Sequence, residues 1–306
     1  MNTVNVSKGA ASLVFFYYGD SPFFTLGQET LKLKKAFTGY GRKILLKHDF
    51  IPEPFDLSSQ DEKEADVVDI PTADNLVRYL KELAEDHYMI DLWIFSHGST
   101  GGFRVSKGQH GSNATFTTND ILTRLGSAQT GLAELPIRMI WSTLCFGASL
   151  NNAWQSIGAK VVGGATGVNF YPNRFKRFAD EWNEGNVSYQ SAVAASDNAG
   201  VRGLVQGFML THALATRGQW GGCKFGKTVL GDSACAKDYF TTMWHFPAAD
   251  YNSALSGKEN MNRSSTVIFA GDRTMTKNAI PTWVATRTQR QHFSTFTPAP
   301  VAANIG

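Results

Sequence analysis

Short apolar runs of strand length alternate with segments whose hydrophobic residues recur at helical spacing, and this alternation most constrains the fold. Residues 12–18 (SLVFFYY) form an apolar, aromatic run that ends at Gly19-Asp20, the pattern of a buried strand. Residues 42–47 (RKILLK), 89–95 (MIDLWIF) and 137–141 (IRMIW) repeat it, and residues 159–162 start a fifth strand that runs into Gly163-Gly164. Helices are predicted between them. One covers residues 30–37 and closes on Gly39; another follows the capping residue Thr72 with Leu76, Leu80 and Leu83 on one face. A third opens at Thr118-Asn119-Asp120 and carries Ile121 and Leu125, a fourth spans 148–157, and a fifth spans 172–182 with Phe175, Phe178 and Trp182 aligned. The β-α-β-α order predicts an α/β fold: a three-layer α/β/α sandwich with a mostly parallel central sheet.

The intervening segments are plainer. Residues 49–71 are acidic with three prolines and read as an irregular surface loop; residues 98–118 form a polar, Gly-rich excursion that admits a hairpin. Residues 49–71 and 101–118 read as exposed and open to proteolysis. After Gly200 the pattern loosens: residues 204–214 read as a helix, 265–270 (STVIFA) as one more strand, and the end (TPAPVAANIG) as a frayed tail. The expected organisation is one domain over 1–237 and a C-terminal extension over 238–306 that adds at most a strand.

Composition narrows the function classes. The chain has 306 residues, of which 42% are hydrophobic and 18% charged, enough for a sizeable core. A net charge of +3 gives no electrostatic argument for nucleic acid or a membrane surface. Arg174, Lys176 and Arg177 do interleave with Phe175 and Phe178, but helical spacing turns the rings inward and the charges to water. No apolar run approaches the roughly 20 residues of a membrane span. The start, MNTVNVSKGAAS, has no signal-peptide pattern, so the expected location is the cytoplasm, or outside it by signal-independent export in the manner of a bacterial effector. Cys223 and Cys235 share a Gly-rich stretch and would bridge in an oxidising compartment, whereas two separate thiols in a reducing one is the plainer reading. No structural-zinc spacing surrounds them, and neither a metal nor an organic cofactor is expected. Oligomeric state is not legible.

In open α/β sheets, ligands bind beyond the carboxyl ends of the strands. After the third strand come Ser96-His97-Gly98-Ser99-Thr100-Gly101-Gly102, and after the fourth Ser142-Thr143-Leu144-Cys145-Phe146-Gly147. A His-Gly dipeptide alone is weak, since composition predicts about 0.7 of them by chance. Its place after a hydrophobic strand, next to a strand ending in Cys145, gives it weight. Acyl transfer needs a nucleophile, a proton donor for the leaving amine and donors facing the oxyanion. Cys145 would attack as thiolate, helped by a helix beginning near Gly147 whose amino end favours the anion, and His97 would protonate the amine and then activate water.

His97 with Gly98, and Cys145, resemble the dyad of the caspase, legumain, clostripain and gingipain group of cysteine peptidases. HGSTG at 97–101 is similar to the legumain motif, and the separation of 48 residues fits the spacing of about 50 seen in caspases. GAKVVGG at 158–164, EGNVSYQSAV at 184–193 and Gly231-Asp232 are similar to later elements of bacterial members, so the resemblance covers roughly residues 12–237. It implies a caspase-like fold, cleavage of protein or peptide substrates, and the N–H groups of Gly98 and Cys145 as oxyanion donors. The chain departs from the caspase surround Gln-Ala-Cys-x-Gly, having Thr143-Leu144-Cys145-Phe146-Gly147. Leu144 and Thr143 also stand where metacaspases place an acidic residue, which leaves substrate preference open.

Ser142 and Thr143, beside the nucleophile, and Asp20, on the same rim after the first strand, are the substrate-binding candidates. Asp20 would read a basic side chain, although an exposed turn aspartate is the plainer account. Two rivals stand beside the peptidase. An α/β-hydrolase with a cysteine nucleophile would need Gly where Thr143 stands and a later histidine, His212 or His245. A caspase-like scaffold that binds partners without turnover would need neither His97 nor Cys145.

Overall fold

The computed structural model describes residues 9–17, 33–48, 64–86, 88–108, 112–131, 134–167, 169, 172–197 and 267–279. It also describes two short strand pairs, Thr3–Val4 parallel to Thr297–Pro298 and Gln219–Trp220 antiparallel to Cys223–Lys224. The predicted helix at 204–214 lies outside the described residues.

The apolar runs form the strands expected of them. In chain order the elements begin with β1 (Ala10–Tyr17), β2 (Arg42–Leu46), β3 (Val67–Asp69), α1 (Ala73–Glu85) and β4 (Met89–Ser96). Three short strands follow, β5 (Gly98–Ser99), β6 (Gly102–Ser106) and β7 (Asn113–Thr117), and then α2 (Thr118–Leu125), α3 (Ser127–Thr130) and β8 (Ile137–Ser142). The last are α4 (Asn151–Ser156), β9 (Val161–Ala165), α5 (Pro172–Asn183), α6 (Tyr189–Asp197) and β10 (Val267–Gly271). One seven-stranded sheet runs β10-β9-β8-β4-β1-β2-β3, parallel throughout except for β10, which is antiparallel to β9. The chain winds outward from β1 to β3, returns through α1 and continues on the far side of β1. The switch point therefore lies between β1 and β4, where such sheets open a crevice.

Both faces of the sheet are buried. On β1, Leu13 and Phe15 pack with α1, α2 and α4, while Val14 and Phe16 face a second core built from α5, α6 and the 3-10 turn Leu33–Phe37. Phe175, Phe178 and Trp182 are wholly buried in that second core around Trp93 and Trp141, as their helical spacing predicts. Three layers result. Helix α1 starts where Thr72 accepts a hydrogen bond from the Asn75 N–H (3.1 Å), and α2 starts with a full capping box between Thr117 and Asp120.

Four segments differ from the expectation. The part of the predicted helix at 30–37 that is described is the 3-10 turn. The predicted loop at 49–71 contains β3, three residues of edge strand too short and half-exposed to carry a periodic signal; they are recruited by pairing with β2. The excursion at 98–118 forms the hairpin it admits, within the antiparallel sheet β5-β6-β7, but Phe103, Val105 and Phe116 are buried there, so it is a packed element and not an exposed loop. The helix expected at 148–157 is a 3-10 turn, Gly147–Leu150, followed by the six residues of α4. In the C-terminal extension, β10 pairs with β9 over five residues and Met275 is buried, so this part is integral to the sheet.

One irregularity matters for the site. Ile90 pairs with Ile137, yet Asp91 pairs with Met139, so Arg138 is an extra residue bulged out of β8. Arg138 and Asp91 are both buried and joined by Nε–Oδ1 and Nη2–Oδ2 hydrogen bonds of 2.8 and 2.7 Å. Tyr40 (2.5 Å) and Trp182 (3.0 Å) also donate to Asp91, and Arg138 Nη1 donates to the Lys277 carbonyl.

Candidate active site

Above the bulge the register of β4 and β8 is offset by one residue, ending with Ile94 opposite Ser142. His97 and Cys145 each lie three positions beyond that pair, just past the ends of adjacent strands. The two ends stay joined above the sheet. The Thr143 N–H donates to the Ile94 carbonyl (2.9 Å). A Cβ on Gly98 would stand 2.2 Å from the Cys145 carbonyl oxygen and 2.9 Å from its nitrogen, an approach only glycine permits.

The turn carrying Cys145 is held from several sides. Phe146 adopts a left-handed backbone (φ 55°), a conformation rarely tolerated without surrounding constraint. Its N–H donates to the Gly167 carbonyl (2.7 Å), and its carbonyl accepts from the Ser149 hydroxyl (2.7 Å). That hydroxyl in turn accepts from the Gly101 N–H (2.8 Å), tying the tip of the β5–β6 hairpin to the cysteine turn. On the opposite flank Ser96 is buried, and its hydroxyl donates to the Arg104 carbonyl (2.7 Å), fixing the backbone on either side of His97.

The Cys145 sulfur is half-buried and ringed by main-chain donors: the N–H groups of Asn169 (3.4 Å), Cys145 and Gly98. Its own S–H points to the Asn169 carbonyl (3.9 Å). Burial pushes the thiol above the usual range, and the three N–H groups offset this only in part. The helical run expected to begin near Gly147 does so, as a 3-10 turn over Gly147–Leu150 that leads directly into α4. Burial, with the positive charge of Arg104 added, lowers His97 to about 4. At neutral pH both groups are therefore uncharged, Cys145 as a thiol and His97 as a neutral imidazole.

Of the sequence candidates, His97, Gly98 and Cys145 come together. Ser142 lies under the site, where its carbonyl accepts from the Asn169 side-chain amide (3.3 Å). Thr143, expected to face substrate, is instead 4% exposed, with its N–H directed to the Ile94 carbonyl at the strand junction. Asp20 lies outside the described residues, as do His212, His245 and Cys235. Sequence reasoning missed Asn169. It follows β9, the next strand along, so the rule that selected His97 and Cys145 would have found it. Its Oδ1 is buried without a hydrogen-bond partner, while its main-chain N–H holds the sulfur. Among the described residues no group of three or more His, Cys, Asp or Glu is placed to hold a metal ion, and no helix is long and apolar enough to cross a membrane. No family model matches the chain, and no curated protein matches it.

Proposed function

We propose that this protein is a cysteine endopeptidase of caspase-like fold, hydrolysing peptide bonds in protein substrates through Cys145 and His97. The observation that carries the proposal is that these two residues emerge three positions beyond the paired Ile94 and Ser142 of adjacent central strands, with the Gly98 backbone packed against Cys145 and the Gly98 and Cys145 N–H groups acting on the sulfur. The strand order supports the caspase-like reading, as does the antiparallel edge strand β10.

The chemistry follows from the resting protonation. His97, uncharged, takes the proton of Cys145 as the sulfur bonds to the scissile carbonyl carbon, and the carbonyl oxygen gains the negative charge. The N–H groups of Gly98 and Cys145, freed as the sulfur moves onto the substrate, stabilise that oxyanion. Collapse breaks the C–N bond, and the imidazolium gives its proton to the departing amine. His97 then deprotonates a water that attacks the thioester, and the thiol returns.

The test uses the full chain, a library of internally quenched peptides and a peptide-based electrophile. Cys145→Ala and His97→Ala are each expected to abolish hydrolysis while keeping the fold, and Cys145 to be the labelled thiol. Cys223→Ala and Cys235→Ala are expected to retain activity. Hydrolysis surviving in Cys145→Ala would overturn the reading. Specific, reversible peptide binding with no turnover in the wild type would favour the non-catalytic scaffold.

A further inference from the structure

Arg104 stands directly across from His97. Strands β5 and β6 pair Gly98 with Phe103, and the hydrogen bond from the Arg104 N–H to the His97 carbonyl (2.9 Å) carries that register back one step. Residues opposite each other in an antiparallel pair project to the same face, with Cβ atoms about 4.5–5.5 Å apart. The other face of β6 is committed to the core: Phe103 and Val105 are buried, Phe103 against Phe15 and Phe116. Arg104, between them, is exposed. Its guanidinium therefore shares a face with the His97 ring, and its charge is felt there, adding to burial in keeping the imidazole unprotonated. Arg104 forms no ion pair among the described residues.

In the acyl-transfer reading, His97 hands its proton to the leaving amine, so the departing half of the substrate passes on the imidazole side of the cleft. We propose that Arg104 determines specificity by pairing with a carboxylate in that departing half, an inference that rests on the peptidase reading. The carboxylate is an acidic side chain soon after the cleaved bond, or the C-terminal carboxylate of a short leaving segment. Arg suits either, since its planar fork meets a carboxylate through two parallel N–H bonds.

The experiment uses quenched peptides with one common acyl half. The leaving halves carry Asp, Glu, Gln or Lys at the first or second position, each with a free or amidated C-terminus. Wild type is expected to favour carboxylate-bearing leaving halves over Lys by about two- to fivefold in kcat/KM, the size of an exposed ion pair. Arg104→Gln should level the preference and Arg104→Glu should reverse it. An effect that survives amidation assigns the side chain; one confined to free termini assigns the terminal carboxylate. Equal kcat/KM for Asp, Gln and Lys peptides with both termini would overturn the inference while leaving the peptidase intact. Cleavage of none of the peptides would overturn both. A second readout needs no turnover: the rate of Cys145 alkylation by iodoacetate relative to uncharged iodoacetamide should fall in Arg104→Glu, and an unchanged ratio would also count against the inference.

Discussion

Gly98→Ala separates the site from the fold. The new Cβ would stand 2.2 Å from the Cys145 carbonyl oxygen, 2.9 Å from the Cys145 nitrogen and 2.9 Å from Leu144 Cβ. Comfortable contact needs about 3.5 Å, so the two strand ends must part by about 1 Å. Neither neighbour yields easily: Leu144 is 1% exposed, and the turn that carries Cys145 is held by the Phe146 N–H on the Gly167 carbonyl. Overpacking of this kind costs about 1–3 kcal/mol. Removing a glycine from the unfolded chain returns about 0.4–1 kcal/mol. The net loss of about 1–2 kcal/mol lowers Tm by only a few degrees in a chain this long. Catalysis suffers far more. A displacement of about 1 Å is worth about 10²-fold in rate, and losing one oxyanion donor about 10²–10³-fold. The assay pairs a thermal melt with kcat/KM on a quenched peptide and with the alkylation rate of Cys145. A folded Gly98→Ala variant retaining kcat/KM within about threefold of wild type, a difference under about 1 kcal/mol, would refute the argument that this approach builds the site.

Two further outcomes follow from the buried charges. Arg138→Ala leaves Asp91 buried with Tyr40 and Trp182 as donors but without its paired guanidinium, and urea denaturation should show a loss of about 3–5 kcal/mol; a loss under about 1 kcal/mol would mean the pair is dispensable. The lowered His97, at about 4 against an unfolded value near 6.5, means that the unfolded chain takes up a proton between those pH values and the folded chain does not. Its contribution is full above pH 6.5 and declines as pH falls to about 4, by about 3 kcal/mol in all. His97→Gln should remove that slope from a stability–pH profile, and an identical profile in the variant would contradict the burial of the imidazole.

The sequence alone determined the sheet's core strands, the inward faces of α1 and α5, and the emergence of a histidine and a cysteine at successive strand ends. These were legible because burial on both faces of a parallel strand demands an unbroken apolar run, and because one-sided helix burial imprints a 3.6-residue period. Polar β6 and β7 were not legible as packed strands, since half of each faces solvent and the other half is supplied by partners distant in sequence. Nor was β3, which is recruited by pairing alone. What only the tertiary structure decided is the register. Ile90 faces Ile137, an offset of 47; had it continued, Ile94 would have met Trp141 and not Ser142. The bulge at Arg138, anchored by the buried ion pair to Asp91, adds the one residue that sets Ile94 opposite Ser142, the pair from which His97 and Cys145 are equally spaced. A one-residue slip turns every side chain to the opposite face of a strand. Its position depends on hydrogen bonds and charge pairing between segments nearly fifty residues apart, which no local periodicity records. The placement of Asn169 on the sulfur and of Arg104 across from His97 has the same origin, in contacts made only once the sheet has closed.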